Sequence, residues 1–293
     1  MMKLVLSGSG SVNSVKYRVC PDPVPVANRA GGGGGDPHIK RWNRKSFEFH
    51  GECDLVLVHS DHVNGDKKLD VHLRTVIKEW WSQIESAAMR IGDVTLQMEV
   101  DKFFVNGEEY SDKDLPFQTS EFYIAPPFSG NHGATPSLRG SDDKNVMKSY
   151  VVTFNDKSVV TFKILNDFMN VEINGHREDF EQSVGLMGTY DAGKAYGRAG
   201  VKMETLHDFA MDWQVDPAVD PILFLEAKGP QLPTEKCRMP DPAVIARRSR
   251  RRLKADSGMY EAAQTACAGK GDEFEACMND VMAVGDVSMA LLH

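Results

Sequence analysis

The residues whose chemistry can be read from type and spacing begin at Asp36-Pro37. An aspartate side chain can attack its own carbonyl carbon, and the proline nitrogen leaves readily once protonated. The Asp36-Pro37 bond is therefore intrinsically acid-labile, the plainer alternative being that Pro37 simply opens the first strand. A second candidate cut lies after Arg251, because Arg248-Ser249-Arg250-Arg251 fits the R-x-(K/R)-R pattern of secretory convertases. The same basic run is also explained as a solvated face beside an acidic tail that holds Glu261, Asp272, Glu273, Asp280 and Asp286. His59, His62 and His72 offer imidazoles, but no Cys or Glu sits at ligand spacing, so they read as surface histidines rather than a metal trio. There is no G-x-S-x-G, no H-E-x-x-H and no P-loop, and no catalytic residue is assigned.

Bulk properties bound what these residues can belong to. A chain of 293 residues with 41% hydrophobic content can bury one sizeable core plus an appendage. A formal charge of −8 argues against a nucleic-acid partner, which needs a basic face. No window approaches the ~18 apolar residues of a membrane-spanning helix. The start offers only Leu4-Val5-Leu6 as an apolar core, so no signal peptide is visible. The five cysteines, Cys20, Cys53, Cys237, Cys267 and Cys277, include no C-x-x-C, and free thiols in a cytosolic protein are one reading of them.

The elements that must position these groups follow from periodicity. Residues 1–34 read as a disordered leader, rich in Gly and Pro and ending in five consecutive glycines. From Ser46 the apolar period is two, and alternating stretches recur over 55–58, 69–77, 94–100, 103–105, 150–154, 159–164 and 169–173. Asn106-Gly107, Asn155-Asp156, Asn166-Asp167 and Asn174-Gly175 supply turns between or after them. Many short strands with such turns predict an all-β fold, an antiparallel β-sandwich over 35–215. Residues 125–145 read as a long exposed loop. Residues 216–293 read as a linker and a small helical, cysteine-containing appendage, with Asp208 expected to cap a short helix before it.

The stretch 35–57, GDPHIKRWNRKSFEFHGECDLVL, resembles the opening of a von Willebrand factor type D domain. That family's pattern is Gly-Asp-Pro-His, an aromatic followed by Asp or Asn, two spaced aromatics and Gly-x-Cys. Here it falls on Asp36-Pro37-His38, Trp42-Asn43, Phe47, Phe49, Gly51 and Cys53. Residues 184–191, VGLMGTYD, resemble the family's later Gly-Leu-Cys-Gly loop, and residues 208–213, DFAMDW, its Asp-Phe-x-x-x-Trp.

The resemblance implies a bridge between Cys53 and Cys237. Cys267 and Cys277 flank a short loop in a segment similar to the family's cysteine-rich follow-on, and they are expected as a second bridge. Met187 stands where the family has a cysteine, and no cysteine sits beside Asp36-Pro37 to pair with one. A calcium ion is implied at Asn43, Thr189 and Asp191. With one carboxylate among the three and Gly197 where a later acid is expected, its affinity would be weak. Some relatives cleave themselves at Asp-Pro, which implies the same bond here.

These expectations describe a non-catalytic extracellular or cell-surface module for protein association, of the adhesion or matrix kind. Its partners are other proteins, including a second copy through the leftover Cys20. The alternative keeps the fold and makes the chain a secreted precursor matured at Asp36-Pro37 or after Arg251; an enzyme on a β-sandwich is the third reading.

Overall fold

The computed structural model describes residues 27–35, 37–78, 81–130, 147–244 and 257–293. Its strands, in chain order, begin with β1 (Arg29–Gly34), β2 (His38–Lys40), β3 (Ser46–Glu48), β4 (Cys53–Val63) and β5 (Lys67–Ile77). They continue with β6 (Ser82–Ile91), β7 (Val94–Met98), β8 (Phe103–Val105), β9 (Glu108–Tyr110), β10 (Phe117–Gln118) and β11 (Tyr123–Ile124). The last are β12 (Phe128–Gly130), β13 (Met147–Thr153), β14 (Val159–Leu165) and β15 (Phe168–Gly175). Two sheets result, both antiparallel. One is a six-stranded meander from β4 to β9; the other has nine strands in the order β10-β11-β13-β14-β15-β1-β2-β3, with β12 also paired to β13.

Alternation dictates how the sheets pack, because successive side chains of a strand face opposite ways. On β5 the buried Leu69, Val71 and Leu73 face the nine-stranded sheet, where Ile39, Phe162, Met169, Val171 and Ile173 are also buried. The hairpin at Asn106-Gly107 forms as expected between β8 and β9, with both residues at positive φ (49° and 87°), the conformation a tight hairpin turn requires.

The glycine tract departs from the expectation of a disordered leader. Arg29–Gly34 is strand β1, inserted between β15 and β2 and hydrogen-bonded to both. Glycine is demanded there by packing: a Cβ on Gly33 would lie 2.7 Å from Leu73 Cδ1 and 3.1 Å from Ile39 Cδ1. The tract contributes backbone to the sheet while its neighbours supply the side chains. Asn174-Gly175, expected as a turn, instead ends β15, where Ala30 and Arg29 pair with it.

Helices are few and short: α1 (Arg177–Phe180), α2 (Leu206–Asp212), α3 (Ser257–Cys267) and α4 (Phe274–Val284). The cap of α2 is Thr205, whose hydroxyl accepts the Asp208 N–H at 3.0 Å; Asp208 is thus the capped residue rather than the cap. Helices α3 and α4, joined by the Cys267–Cys277 disulfide, form the C-terminal appendage with the 3-10 turn Val287–Leu292. It has its own apolar cluster, in which Val281, Met289 and Leu292 pack with Trp81, Leu165 and Phe168 of the sandwich.

Residues 216–238 are more than a linker. They cross the outer face of the six-stranded sheet and end at the second disulfide, Cys53–Cys237, whose cysteines are 184 positions apart in sequence. Leu223 and Phe224 pack on Ala88, and the Arg74 guanidinium lies 4.0 Å from the Phe224 ring centre. Beneath this crossing segment Arg74 makes a buried bidentate pair with Asp54, both bonds 2.7 Å. Gln231 adds a third contact to the same carboxylate at 3.2 Å.

Candidate functional site

The first candidate site is where the sequence motifs converge. The Trp42 N–H donates to the Met187 carbonyl at 3.0 Å, and the Trp42 ring packs on Tyr190 and Phe180 with centres 5.0 and 5.1 Å apart. Phe47 packs on Phe209 at 6.0 Å. Three segments far apart in sequence, 42–49, 187–191 and 209–213, thus share one corner of the core. Met187 is fully buried, and its Cε lies 2.6 Å from where Gly31 would carry a Cβ. A thioether fills this position against β1.

Asn43, Thr189 and Asp191 belong to this corner, but their side chains are committed to protein partners. The Asn43 amide donates to the Ala192 carbonyl at 2.8 Å, and its oxygen accepts the Lys45 N–H at 3.1 Å. The Thr189 hydroxyl accepts the Lys194 N–H at 3.1 Å. The Asp191 carboxylate is held by the Arg177 guanidinium. Calcium calls for six to eight oxygens, with carboxylates setting the affinity. A set whose single carboxylate is neutralised by an arginine does not fit that ion as arranged.

The second candidate was not foreseen from the sequence. A cleft of about 170 Å³ lies between the outer face of the nine-stranded sheet and the appendage, floored by the bare backbone of Gly31–Gly34. Its rim carries Lys40, Lys163, Glu172, Glu273, His38 and His293. Lys163 pairs with Glu172 at 2.9 Å, and Lys40 pairs with Glu273.

At one end of the cleft the Asp280 carboxylate, fully buried on α4, bridges two imidazoles. Its Oδ1 meets His38 Nε2 at 3.1 Å and its Oδ2 meets His293 Nε2 at 2.7 Å. Burial pushes the Asp280 carboxyl up, and the two imidazoles more than offset this, leaving it below the ordinary range. His293 is lowered by burial but raised further by Asp280 and Glu273, so it ends above the usual imidazole value. Contact with His293, against burial and helped by Lys40, brings Glu273 down to about 2. Periodicity could not reveal this cluster because His38, Asp280 and His293 acquire their meaning only when the appendage docks.

The other sequence candidates resolve differently. His62 is exposed beside Asp66, whereas His59 pairs with Asp70 at 2.6 Å. His72 is fully buried rather than on the surface, because its strand face is covered by the crossing segment. Among the described residues no three His, Cys, Asp or Glu side chains converge as a metal-binding group. Both expected bridges, Cys53–Cys237 and Cys267–Cys277, are formed. Pro37 is buried in the turn before β2; Asp36, Arg251 and Cys20 lie outside the described residues.

Comparison with protein-family models and with curated proteins finds no match to this chain.

Proposed function

We propose that the chain is a non-catalytic module of the von Willebrand type D kind, working outside the cell or at its surface in protein association. The observation that carries the reading is the pair of intramolecular disulfides built into an antiparallel sandwich. Such bonds persist in oxidising compartments and are rare in the cytosol. Among the described residues no helix is long and apolar enough to cross a membrane.

Support for the family assignment comes from the corner where Trp42, Phe47, Met187, Tyr190 and Phe209 pack, since these belong to the segments that carry the resemblance. Support for association over turnover comes from the way polar side chains are used. Buried carboxylates serve to hold elements together, Asp54 paired with Arg74 under the crossing segment and Asp280 with its two histidines at the cleft. Self-association through Cys20 belongs to the same reading.

Sedimentation velocity of the oxidised full chain, over a range of concentrations, tests it. The expected result is a species larger than the monomer that is lost in Cys20→Ser or on dilution. A strict monomer under every condition contradicts association with itself.

A further inference from the structure

The appendage meets the sandwich through apolar and polar contacts, the polar ones including Lys40 with Glu273, the Asn170 amide donating to the Leu292 carbonyl and the Asn279 amide donating to Glu48. Two of the contacts are unlike in kind. One is apolar, where Val281, Met289 and Leu292 cover Trp81, Leu165 and Phe168. The other is the fully buried Asp280, which reaches past Gly35 to His38 of β2. Gly35 has φ +62°, and a Cβ there would lie 1.9 Å from Asp280 Oδ2, so the carboxylate sits directly on this backbone. We propose that the appendage is a pH-released clasp, in which Asp280, gripped by His38 and His293, holds the C-terminal helices on β2 in mild acid and loosens its hold above neutrality.

The physical argument is the cost of a buried anion. A carboxylate taken fully out of water is tolerated when cations compensate it and is expensive when they do not. The described groups that face it bear this out from each packed element. From β2 come His38 and Lys40; from β3 comes Glu48, 3.9 Å from His38 Nδ1, with His50 at 3.5 Å on its far side. From the appendage come Glu273, ion-paired with Lys40 and 3.8 Å from His293 Nδ1, and His293 itself. Across the cleft Lys163 and Glu172 neutralise one another. Lys40 is engaged by Glu273, and the imidazole that titrates against Asp280 is that of His293, at 2.7 Å.

The sign follows. Docking raises the His293 pKa, so its contribution is fully present below the free imidazole value of 6.5 and is lost as pH rises through the raised value. Each unit of that rise changes the docking equilibrium about tenfold across the titration. Loosening would bare Trp81, Leu165 and Phe168, a compact apolar surface, while the Cys267–Cys277 bridge keeps α3 and α4 together.

Hydrogen exchange read by mass spectrometry on the oxidised full chain between pH 6 and 9, corrected for intrinsic exchange rates, tests the clasp. Peptides covering α4 and β2 should lose protection across this range, about tenfold for each unit by which docking raises the His293 pKa, while β14, in the centre of the nine-stranded sheet, keeps its protection. His293→Gln, which retains a hydrogen-bond donor but no titratable charge, should show low and pH-independent protection of α4. Asp280→Asn should flatten the pH dependence without requiring either histidine. Flat protection of α4 in the wild type, an unchanged slope in His293→Gln, or loss at β14 in step with α4 would each overturn the proposal.

Discussion

Asp191 shows how one neighbour decides what a residue can do. The resemblance implies a calcium ligand at this position, together with Asn43 and Thr189. Arg177, however, sits on β15's C-terminal side in helix α1 and turns its guanidinium onto the carboxylate. An ion would have to displace that arginine and also break the Lys45 hydrogen bond to Asn43. The melting temperature of the wild type should therefore be the same in millimolar calcium and in chelator. Arg177→Met frees the carboxylate and should introduce a calcium-dependent rise, which Asp191→Asn in the same background removes. A wild type that already melts higher with calcium would show that the oxygens rearrange around the ion.

The strands of this chain were legible where alternation was regular and illegible where both faces are buried or side chains are missing. β14 and β15 alternate plainly. β6 does not, because eight of its ten residues are buried, and Ser82-Gln83-Ile84-Glu85-Ser86-Ala87-Ala88-Met89 carries no period-two signal. β1 has no side chains to alternate from Gly31 to Gly34, and it is recognised only by its partners. That origin makes a prediction: Gly33→Val overpacks the space against Leu73 and Ile39 and should cost about 1–3 kcal/mol or more in urea melts. A neutral substitution would mean that β1 is not seated between β15 and β2.

The crossing segment 216–238 was legible as irregular chain, but its role as a cover was not, because the polar residues it buries look surface-like in sequence. His72 is the clearest case. Burial, against the attraction of Asp70 and the other carboxylates, brings its pKa down to about 4, and neither ring nitrogen has a hydrogen-bond partner. The fold therefore prefers the neutral ring. Its contribution is complete above 6.5 and falls as pH drops from 6.5 to about 4, by about 3 kcal/mol in all. His72→Leu should lack this component, so the difference in stability between wild type and variant should grow in favour of the variant as pH falls from 7 to 4. Equal pH slopes for the two proteins would mean that His72 is hydrated or paired in solution. The sign is opposite to that of His293 and the range adjoins it: acid weakens the cover over the six-stranded sheet below 6.5, where the clasp on the other sheet is already at full strength.

At the scale of the whole molecule the two bridges do different work. Cys53–Cys237 ties the start of the six-stranded sheet to the end of the crossing segment, and in the chain-entropy model a loop of 184 residues corresponds to about 5 kcal/mol. Cys267–Cys277 closes a loop of 10 residues inside the appendage and should contribute about 3 kcal/mol there, local to α3 and α4. A sandwich braced in this way is suited to an environment where thiols are oxidised. The resemblance supplied the first pairing, and the composition by itself left reduced cysteines open as the alternative reading.

The claim that this is a disulfide-braced extracellular module is tested most directly on the natural protein, isolated from cells and from their surroundings and alkylated before and after reduction. Intact mass and peptide mapping then report location, bridges and any internal cut together. The account predicts protein in the surface or secreted fraction whose Cys53, Cys237, Cys267 and Cys277 resist alkylation until reduction and map to the two pairs described. Protein confined to the cell interior with these cysteines alkylated directly would contradict it.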